Sequence, residues 1–274
     1  MDLETKFPIG YSQDGGALVK ADSLSGYSPD GGALVKADSL SGYSPDGGAL
    51  VKADSLSGYS PDGKPLNIRD EYRIMSPESI KQTVLDKSLP YVIMSMNIKD
   101  CHNIGNIIRT SNLCGARKVI VFGRRKYNAK GSVGAHNYTE VDRIDAIPDS
   151  DYRNFDDEIS QTDADIMIDE RLFVEYINSN NYLPVFIEQD SFSKPATSSN
   201  IISIIQRAKT LDKIICFILG NEGFGIPKNI LATRPQFELS YTLELKQMGS
   251  VRSHNVANCC AILCYKVMEC FDDL

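Results

Sequence analysis

The sequence lacks the features that mark several common classes of protein. No apolar run approaches the roughly 18 residues that a helix needs to span a bilayer. The net charge is −7, so there is no uniformly basic surface for nucleic acid, and any RNA or DNA contact must come from a local patch. The first residues are acidic and polar, so we expect no secretory signal.

Cysteine pairs of the Cys-x-x-Cys type are also missing, although the chain has seven cysteines. All seven lie after residue 100, and none has the spacing of a zinc motif. We therefore expect buried, reduced thiols, no metal site and no disulfide framework. A reducing compartment fits this pattern best, and we expect a cytoplasmic protein with no membrane association.

A tandem repeat occupies the first part of the chain. Residues 11–63 repeat the unit GYSPDGGALVKADSLS at a spacing of 16, marked by Tyr11, Tyr27, Tyr43 and Tyr59. The turn and the ALVKA run of each unit could form a small stacked β-unit. The content of Gly, Ser, Asp and Pro favours instead a low-complexity tail, flexible or weakly ordered, over residues 1–64. Residues 65–88 then form a linker with a short helix capped by Ser76.

Residues 89–274 alternate between predicted strands and helices. Apolar runs predict strands at 91–96, 118–123, 139–144, 182–190, 213–220 and 236–245. Amphipathic patterns predict helices at 103–115, 170–180, 199–209, 226–234 and 255–271, and an acidic stretch at 149–170 indicates a surface excursion. This alternation predicts an α/β domain whose mostly parallel sheet is covered by helices on both faces. Ligands of such sheets bind beyond the carboxyl ends of the strands.

Three polar loops follow apolar strands and can therefore lie at one edge of the sheet. They span residues 97–109, 219–227 and 247–258. The second loop does not match the G-x-G-x-x-G fingerprint of dinucleotide-binding proteins. Its Glu222, flanked by glycines, serves either as a cap or to fix a cation or a ligand hydroxyl. In the third loop, Ser253 or Asn255 can cap the helix that follows, and free N–H groups there can hold an anion.

The three loops together carry a family resemblance. The ordered motifs NIGNIIRTSNLCGA (103–116), FILGNEGFGIP (217–227) and MGSVRSHNVANCCAILCYK (248–266) resemble those of the SpoU/TrmH group of SPOUT methyltransferases, over roughly residues 89–270. The resemblance implies S-adenosylmethionine as cofactor, a SPOUT-type trefoil knot and a homodimer. The rarity of threaded chains would by itself favour an unknotted, doubly wound sheet, and here we follow the resemblance.

The resemblance also implies a function and a set of site residues. The family methylates the 2′-hydroxyl of a ribose in tRNA or rRNA; a non-catalytic RNA-binding protein of the same fold, or a base-methylating enzyme, are the alternatives. The residues expected at the cofactor are Leu219, Gly220, Asn221, Glu222, Ile226, Met248, Ser253 and Asn255. Those expected in catalysis are Arg109, Asn103, Glu222, Ser253 and Asn255. Arginine is a poor base, so Arg109 either acts with the help of a substrate phosphate or mainly binds phosphate and stabilises developing negative charge.

A basic run and one departure from the family pattern complete the set of candidates. The residues expected to contact RNA are Arg117, Arg124, Arg125, Lys126 and Lys130, with Tyr127 available for stacking on a base. His254 stands where the family commonly has leucine, between Ser253 and Asn255. We expect it to pack or to form a hydrogen bond beside the pocket, and a catalytic base is the alternative hypothesis because imidazole titrates near neutral pH.

Overall fold

The computed structural model describes residues 67–73, 75–123, 129–146 and 168–274, together with four short strands among the first 52 residues. The chain divides into two compact units, Met1–Thr83 and Val84–Leu274. In the first unit, strands β1 (Ile9–Tyr11), β2 (Ala17–Lys20), β3 (Leu40–Tyr43) and β4 (Ala49–Lys52) pair antiparallel in the order β1-β2-β4-β3. The other repeat residues lie outside the described part of the chain. The weakly ordered tail and the boundaries at residues 64 and 88 therefore stay predictions.

Helix α1 (Pro77–Asp86) is the short helix predicted in the linker. The backbone N–H of Ser79 donates to Ser76 Oγ at 3.2 Å. This contact satisfies one of the N–H groups that the first turn of a helix leaves without a partner. Pro77 occupies the first helical position, where its missing N–H costs nothing. The predicted cap is therefore confirmed.

The second unit is built on a seven-stranded sheet in which every neighbouring pair is parallel. Its strands are β5 (Leu89–Met96), β6 (Ala116–Gly123), β7 (Val141–Asp145), β8 (Tyr182–Ile187), β9 (Lys194–Pro195), β10 (Ile214–Leu219) and β11 (Tyr241–Glu244). Their order across the sheet is β7-β6-β5-β10-β8-β11-β9. The predicted strands are all present, and β9 is an addition that the pattern did not indicate.

The first half of the strand predicted at 236–245 is wrong. A single 3₁₀ turn, Arg234–Gln236, occupies its start, and β11 begins only at Tyr241. Pro235 has no N–H to donate to a neighbouring strand. Phe237 instead turns into the core and is buried there. One buried apolar side chain between exposed residues thus gave the same alternating pattern as a strand.

Within the described ranges, five helices cover the sheet on both faces. They are α2 (Cys101–Leu113), α3 (Glu170–Ser179), α4 (Ser198–Thr210), α5 (Lys228–Ala232) and α6 (Val256–Asp272). Side chains of α2, α4 and α6 share one core cluster with Tyr91 and Ile93 of β5, whereas those of α3 and α5 share the other with Val92 and Met94. This alternation along β5 confirms the α/β class and the double coverage.

The order of the strands reverses between β5 and β10, which are neighbours in the sheet. From β5 the chain moves outward through β6 and β7, and it later returns to build β8, β11 and β9 beyond β10. A crevice forms at such a switch point, at the carboxyl ends of the strands. The three polar loops follow β5, β10 and β11, so they leave the sheet at this one edge, as predicted. The knot stays a prediction.

Three further expectations concern features away from this edge. All seven cysteines are free thiols, but the expectation that they are buried holds for only four, because Cys101, Cys114 and Cys259 are partly exposed. Across the part of the chain that the structure describes, no helix combines the length and the apolar character needed to cross a membrane. Most of the acidic excursion predicted at 149–170 lies outside the described residues.

Candidate functional site

The carboxylate of Glu222 joins the loop after β10 to the start of α2. It accepts hydrogen bonds from the backbone N–H groups of Lys99 and Asp100, both at 3.1 Å, and from Asn103 Nδ2 at 3.0 Å. An anion is favoured at the start of a helix, where N–H groups lack partners and the helix dipole is positive. The cap of α2 itself is Asp100, whose side chain accepts from the N–H of His102 at 2.8 Å. Glu222 binds the N–H groups at and just before this residue, and the two roles that the sequence left open for it stay predictions.

Asn103 and Asn255 extend this contact to the third loop. Asn255 Nδ2 donates to Asn103 Oδ1 at 3.1 Å. Asn255 Oδ1 accepts from the N–H groups of Ala257 at 2.9 Å and Asn258 at 3.3 Å, so Asn255, rather than Ser253, caps α6. A carboxylate can only accept, so the amide of Asn103 must turn its nitrogen to Glu222 and its oxygen to Asn255. One chain of hydrogen bonds thus connects all three loops.

The loop from Gly220 to Gly225 is folded back on itself. The N–H of Asn221 donates to Gly225 O at 2.8 Å, and the N–H of Gly225 donates to Asn221 O at 3.0 Å. Asn221 Nδ2 also donates to Asn97 O at 2.6 Å. A Cβ at Gly220 would overlap the backbone of Gly225, and Gly225 has a positive φ of 72°. The fold of this loop therefore requires glycine at both positions.

Glu188 is a further site residue that the sequence analysis missed. It follows β8, and its carboxylate accepts from the N–H groups of Ile226 at 2.7 Å and Gln189 at 2.9 Å. A Cβ at Gly225 would overlap this carboxylate. Glu188 thus fixes the far side of the glycine-rich loop. The only signal in the sequence is an acidic residue directly after a buried strand, which is too common to be diagnostic.

The segments after β8, β10 and β11 line a cavity of about 480 Å³, to which the loop after β5 contributes no residue. Five of the residues predicted at the cofactor line it: Leu219, Gly220, Asn221, Glu222 and Ser253. The lining also includes His254, Arg252, Glu188 and Glu244. Of the other predicted residues, Ile226 is buried beneath the loop, Met248 is 87% exposed and Asn255 holds Asn103, and none of the three lines the cavity.

Arg109 does not lie with the other predicted catalytic residues. It follows Asn103 on α2 by six residues, which places it about 9 Å along the helix and about 240° around its axis. Its side chain is half-buried, and it is not part of the cavity lining. Among the described residues it forms no hydrogen bond or ion pair. Within one chain, Arg109 is therefore available to a group outside the cavity.

Of the five residues predicted to bind RNA, the structure describes the side chain of Arg117 alone. Arg124, Arg125 and Lys126 lie outside the described residues, as does the side chain of Lys130. Arg117 is exposed near the start of β6. Since all strands are parallel, Arg117 lies toward the edge of the sheet opposite the cavity, about 20 Å from the end of its strand. The structure thus separates Arg117 from the cavity.

Comparison with known proteins assigns a family. The model of the SpoU rRNA Methylase family matches residues 90–265. No curated protein matches the chain. Among solved structures, the fold is similar to that of the TrmH/SpoU tRNA modifying enzyme from A. aeolicus, with 15% sequence identity and a TM-score of 0.50 over 72% of this chain and 83% of that one.

Two further solved structures show weaker similarity. The SpoU methyltransferase AviRb from Streptomyces viridochromogenes, in complex with AdoMet, has 15% identity and a TM-score of 0.47, with 82% of this chain and 69% of that one covered. A structure described as an RNA 2′-O ribose methyltransferase has 16% identity and a TM-score of 0.45, with 82% and 66% covered.

Replacement of Glu222 by glutamine tests the hydrogen bonds at the start of α2. Glutamine has an NH₂ group in place of one of the two carboxylate oxygens, and this group cannot accept a hydrogen bond. At least one of the three N–H donors would therefore lose its acceptor. We expect Glu222→Gln to lower the free energy of unfolding by about 1–3 kcal/mol, as measured by urea denaturation. Glu175→Gln, at an exposed position of α3, is the control. An equal loss in both variants would contradict the assigned contacts.

Proposed function

Because the chain belongs to the SpoU rRNA Methylase family, we propose that it transfers the methyl group of S-adenosylmethionine to the 2′-hydroxyl of a ribose in tRNA or rRNA. The single observation that carries this proposal is the hydrogen-bond chain Glu222–Asn103–Asn255, which joins the three motif loops beside one cavity.

The cavity suits S-adenosylmethionine in size and in charge. Its volume of about 480 Å³ lies within the range of small-molecule sites. Glu188, Glu222 and Glu244 line it and favour a ligand that carries a positive sulfonium and an ammonium group. The close approach of Gly220 to Gly225 brings backbone rather than side chains to the wall. We propose that Leu219, Gly220, Asn221 and Ser253 hold the cofactor, with Ile226 and Met248 flanking them.

In the proposed reaction, the cofactor supplies an electrophilic methyl group when it is bound. The chain must then orient the ribose in line with that methyl group and accept the hydroxyl proton. Asn103 and Asn255 do not line the cavity, and we propose that they act by holding the loops that carry the lining residues. Arg109, which lies outside the cavity and has a permanent positive charge, is proposed to bind a phosphate of the RNA and to stabilise developing negative charge.

We further propose a homodimer. On α6, the large side chains of Ile262 and Tyr265 are 40% and 54% exposed, and their spacing puts them on one side of the helix. Leu113, at the end of the neighbouring α2, is also exposed. A second copy of the chain could cover these side chains.

The dimer is tested by two substitutions that each introduce a negative charge on this side of α6. We expect the double variant Ile262→Asp with Tyr265→Asp to sediment as a monomer and the parent protein as a dimer, because two carboxylates would have to be buried at the interface. Phe192→Asp, at another exposed apolar side chain, should leave the mass unchanged. A dimeric double variant would contradict the assignment of this face.

The proposed reaction is tested by incubation with labelled S-adenosylmethionine and total RNA, followed by digestion and nucleoside analysis. We expect label in a 2′-O-methylnucleoside. Label in a base-methylated nucleoside would support the base-methylating alternative, and RNA binding without product would support a non-catalytic role. Either of these results would overturn the proposal of ribose methylation.

The RNA contact of Arg124 and Arg125 is tested by the salt dependence of binding. Each phosphate contact that is lost should reduce the slope of log K against log salt by roughly 0.7–0.9. We therefore expect Arg124→Glu with Arg125→Glu to weaken RNA binding and to flatten this slope in a filter-binding titration. Arg207→Glu, on the exposed side of α4, is the control. An unchanged slope would contradict the assignment.

A further inference from the structure

The proposed reaction requires a group that accepts the proton of the ribose hydroxyl. Six titratable side chains line the cavity: Glu188 after β8, Glu222 after β10, Glu244 at the end of β11, and Arg252, His254 and Cys259 around the start of α6. On the basis of the proposed function, we infer that His254 is this proton acceptor. Each of the other five side chains is less suited to accept the proton.

Two of the carboxylates are occupied as structural acceptors. Glu222 accepts three hydrogen bonds at the start of α2, and Glu188 accepts two from backbone N–H groups. A proton on either carboxylate would compete with the contacts that hold the loops in place. Neither group is therefore free to take up a proton during turnover.

The thiol and the guanidinium are unsuitable for chemical reasons. Burial raises the pKa of the Cys259 thiol to about 12, with nearby Cys264 and Glu188 contributing. This thiol therefore keeps its own proton near neutral pH. The guanidinium group of Arg252 has no site for a further proton, since arginine stays charged in proteins. Arg109 has the same chemistry and does not line the cavity.

Glu244 and His254 remain. A general base works best when its proton affinity matches the operating pH, and imidazole is the side chain whose ordinary titration range lies there, whereas a free carboxylate is a much weaker base. The backbone of His254 is also well fixed. Its neighbour Asn255 caps α6 and is bonded to Asn103, which fixes the chain directly after His254, and His254 is exposed and lines the cavity.

The charge balance of the step supports the same choice. The ribose oxygen forms a bond to the methyl carbon, the bond between that carbon and sulfur breaks, and its electron pair neutralises the sulfonium. The hydroxyl proton moves to the imidazole of His254. One positive charge is lost from sulfur as one appears on the ring, so the total charge in the cavity stays constant. The three carboxylates that favour the cofactor can then stabilise the imidazolium, which offsets the unfavourable start of α6.

The inference is tested by the pH dependence of kcat/KM for His254→Gln in the full-length protein. We expect kcat to fall by about 10²- to 10⁴-fold, with the acid limb of the profile lost and the Kd for S-adenosylmethionine within a few-fold of the parent value. The binding measurement also shows that the variant is folded. His254→Leu, which introduces the residue that the family commonly has here, should show the same loss. His102→Gln, at an exposed histidine outside the cavity, should keep both rate and profile.

The outcomes separate this inference from the proposed function. If the parent protein forms no 2′-O-methylnucleoside, the proposed function fails and takes the inference with it. If the parent is active and His254→Gln keeps its rate, or loses rate with an unchanged pH profile, only the inference fails. Loss of the acid limb in Glu244→Gln, with His254→Gln retaining it, would overturn the inference in favour of Glu244.

Discussion

The site depends on one anion seated at the start of a helix. The Glu222 carboxylate takes the place of water for two backbone N–H groups and one amide, and so ties the loop after β10 to the helix after β5. These two strands are neighbours at the point where the order of the sheet reverses. The base of the crevice is therefore held by hydrogen bonds to a carboxylate as well as by buried apolar side chains such as Ile187 and Leu219, and the carboxylate gives a ligand a polar wall.

Hydrogen bonds connect this carboxylate to the start of the last helix, α6. Asn103 is buried, and both ends of its amide are used, one by Glu222 and one by Asn255. Because the carboxylate has no donor, each amide in the series has a single satisfactory orientation. The Glu222 carboxylate thus determines the orientation of both asparagine amides. Because Asn255 also caps α6, these bonds fix the chain directly after Ser253 and His254.

Much of this architecture was predictable from local pattern. The apolar runs of β5 and β10 and the buried stripe of α6 at Val256, Cys260, Leu263 and Val267 fix strands and helix with little ambiguity. Strand β9 was not predictable, because Lys194 and Pro195 are exposed and join the sheet only through their backbone.

The contacts within the site could not be predicted without the order of the strands in the sheet, and local sequence patterns do not give that order. Glu222 and Asn103 are 119 residues apart in the chain, and Asn103 and Asn255 are 152 apart. The family resemblance identified these residues as candidates. Their hydrogen bonds to one another form only because β10 lies beside β5 in the sheet. Glu188 belongs to no motif, so only the structure identifies it. The separation of Arg109 from Asn103, in contrast, follows from helical periodicity alone.

The two-sided fixation of the glycine-rich loop has a consequence for the thermodynamics of ligand binding. Asn221 and Gly225 close the loop on itself, while Glu188 holds one side and the contact of Asn221 with Asn97 holds the other. A loop held on both sides by hydrogen bonds of the chain itself has little conformational entropy left to lose. Occupation of the cavity should therefore proceed with little change in amide hydrogen exchange at this loop.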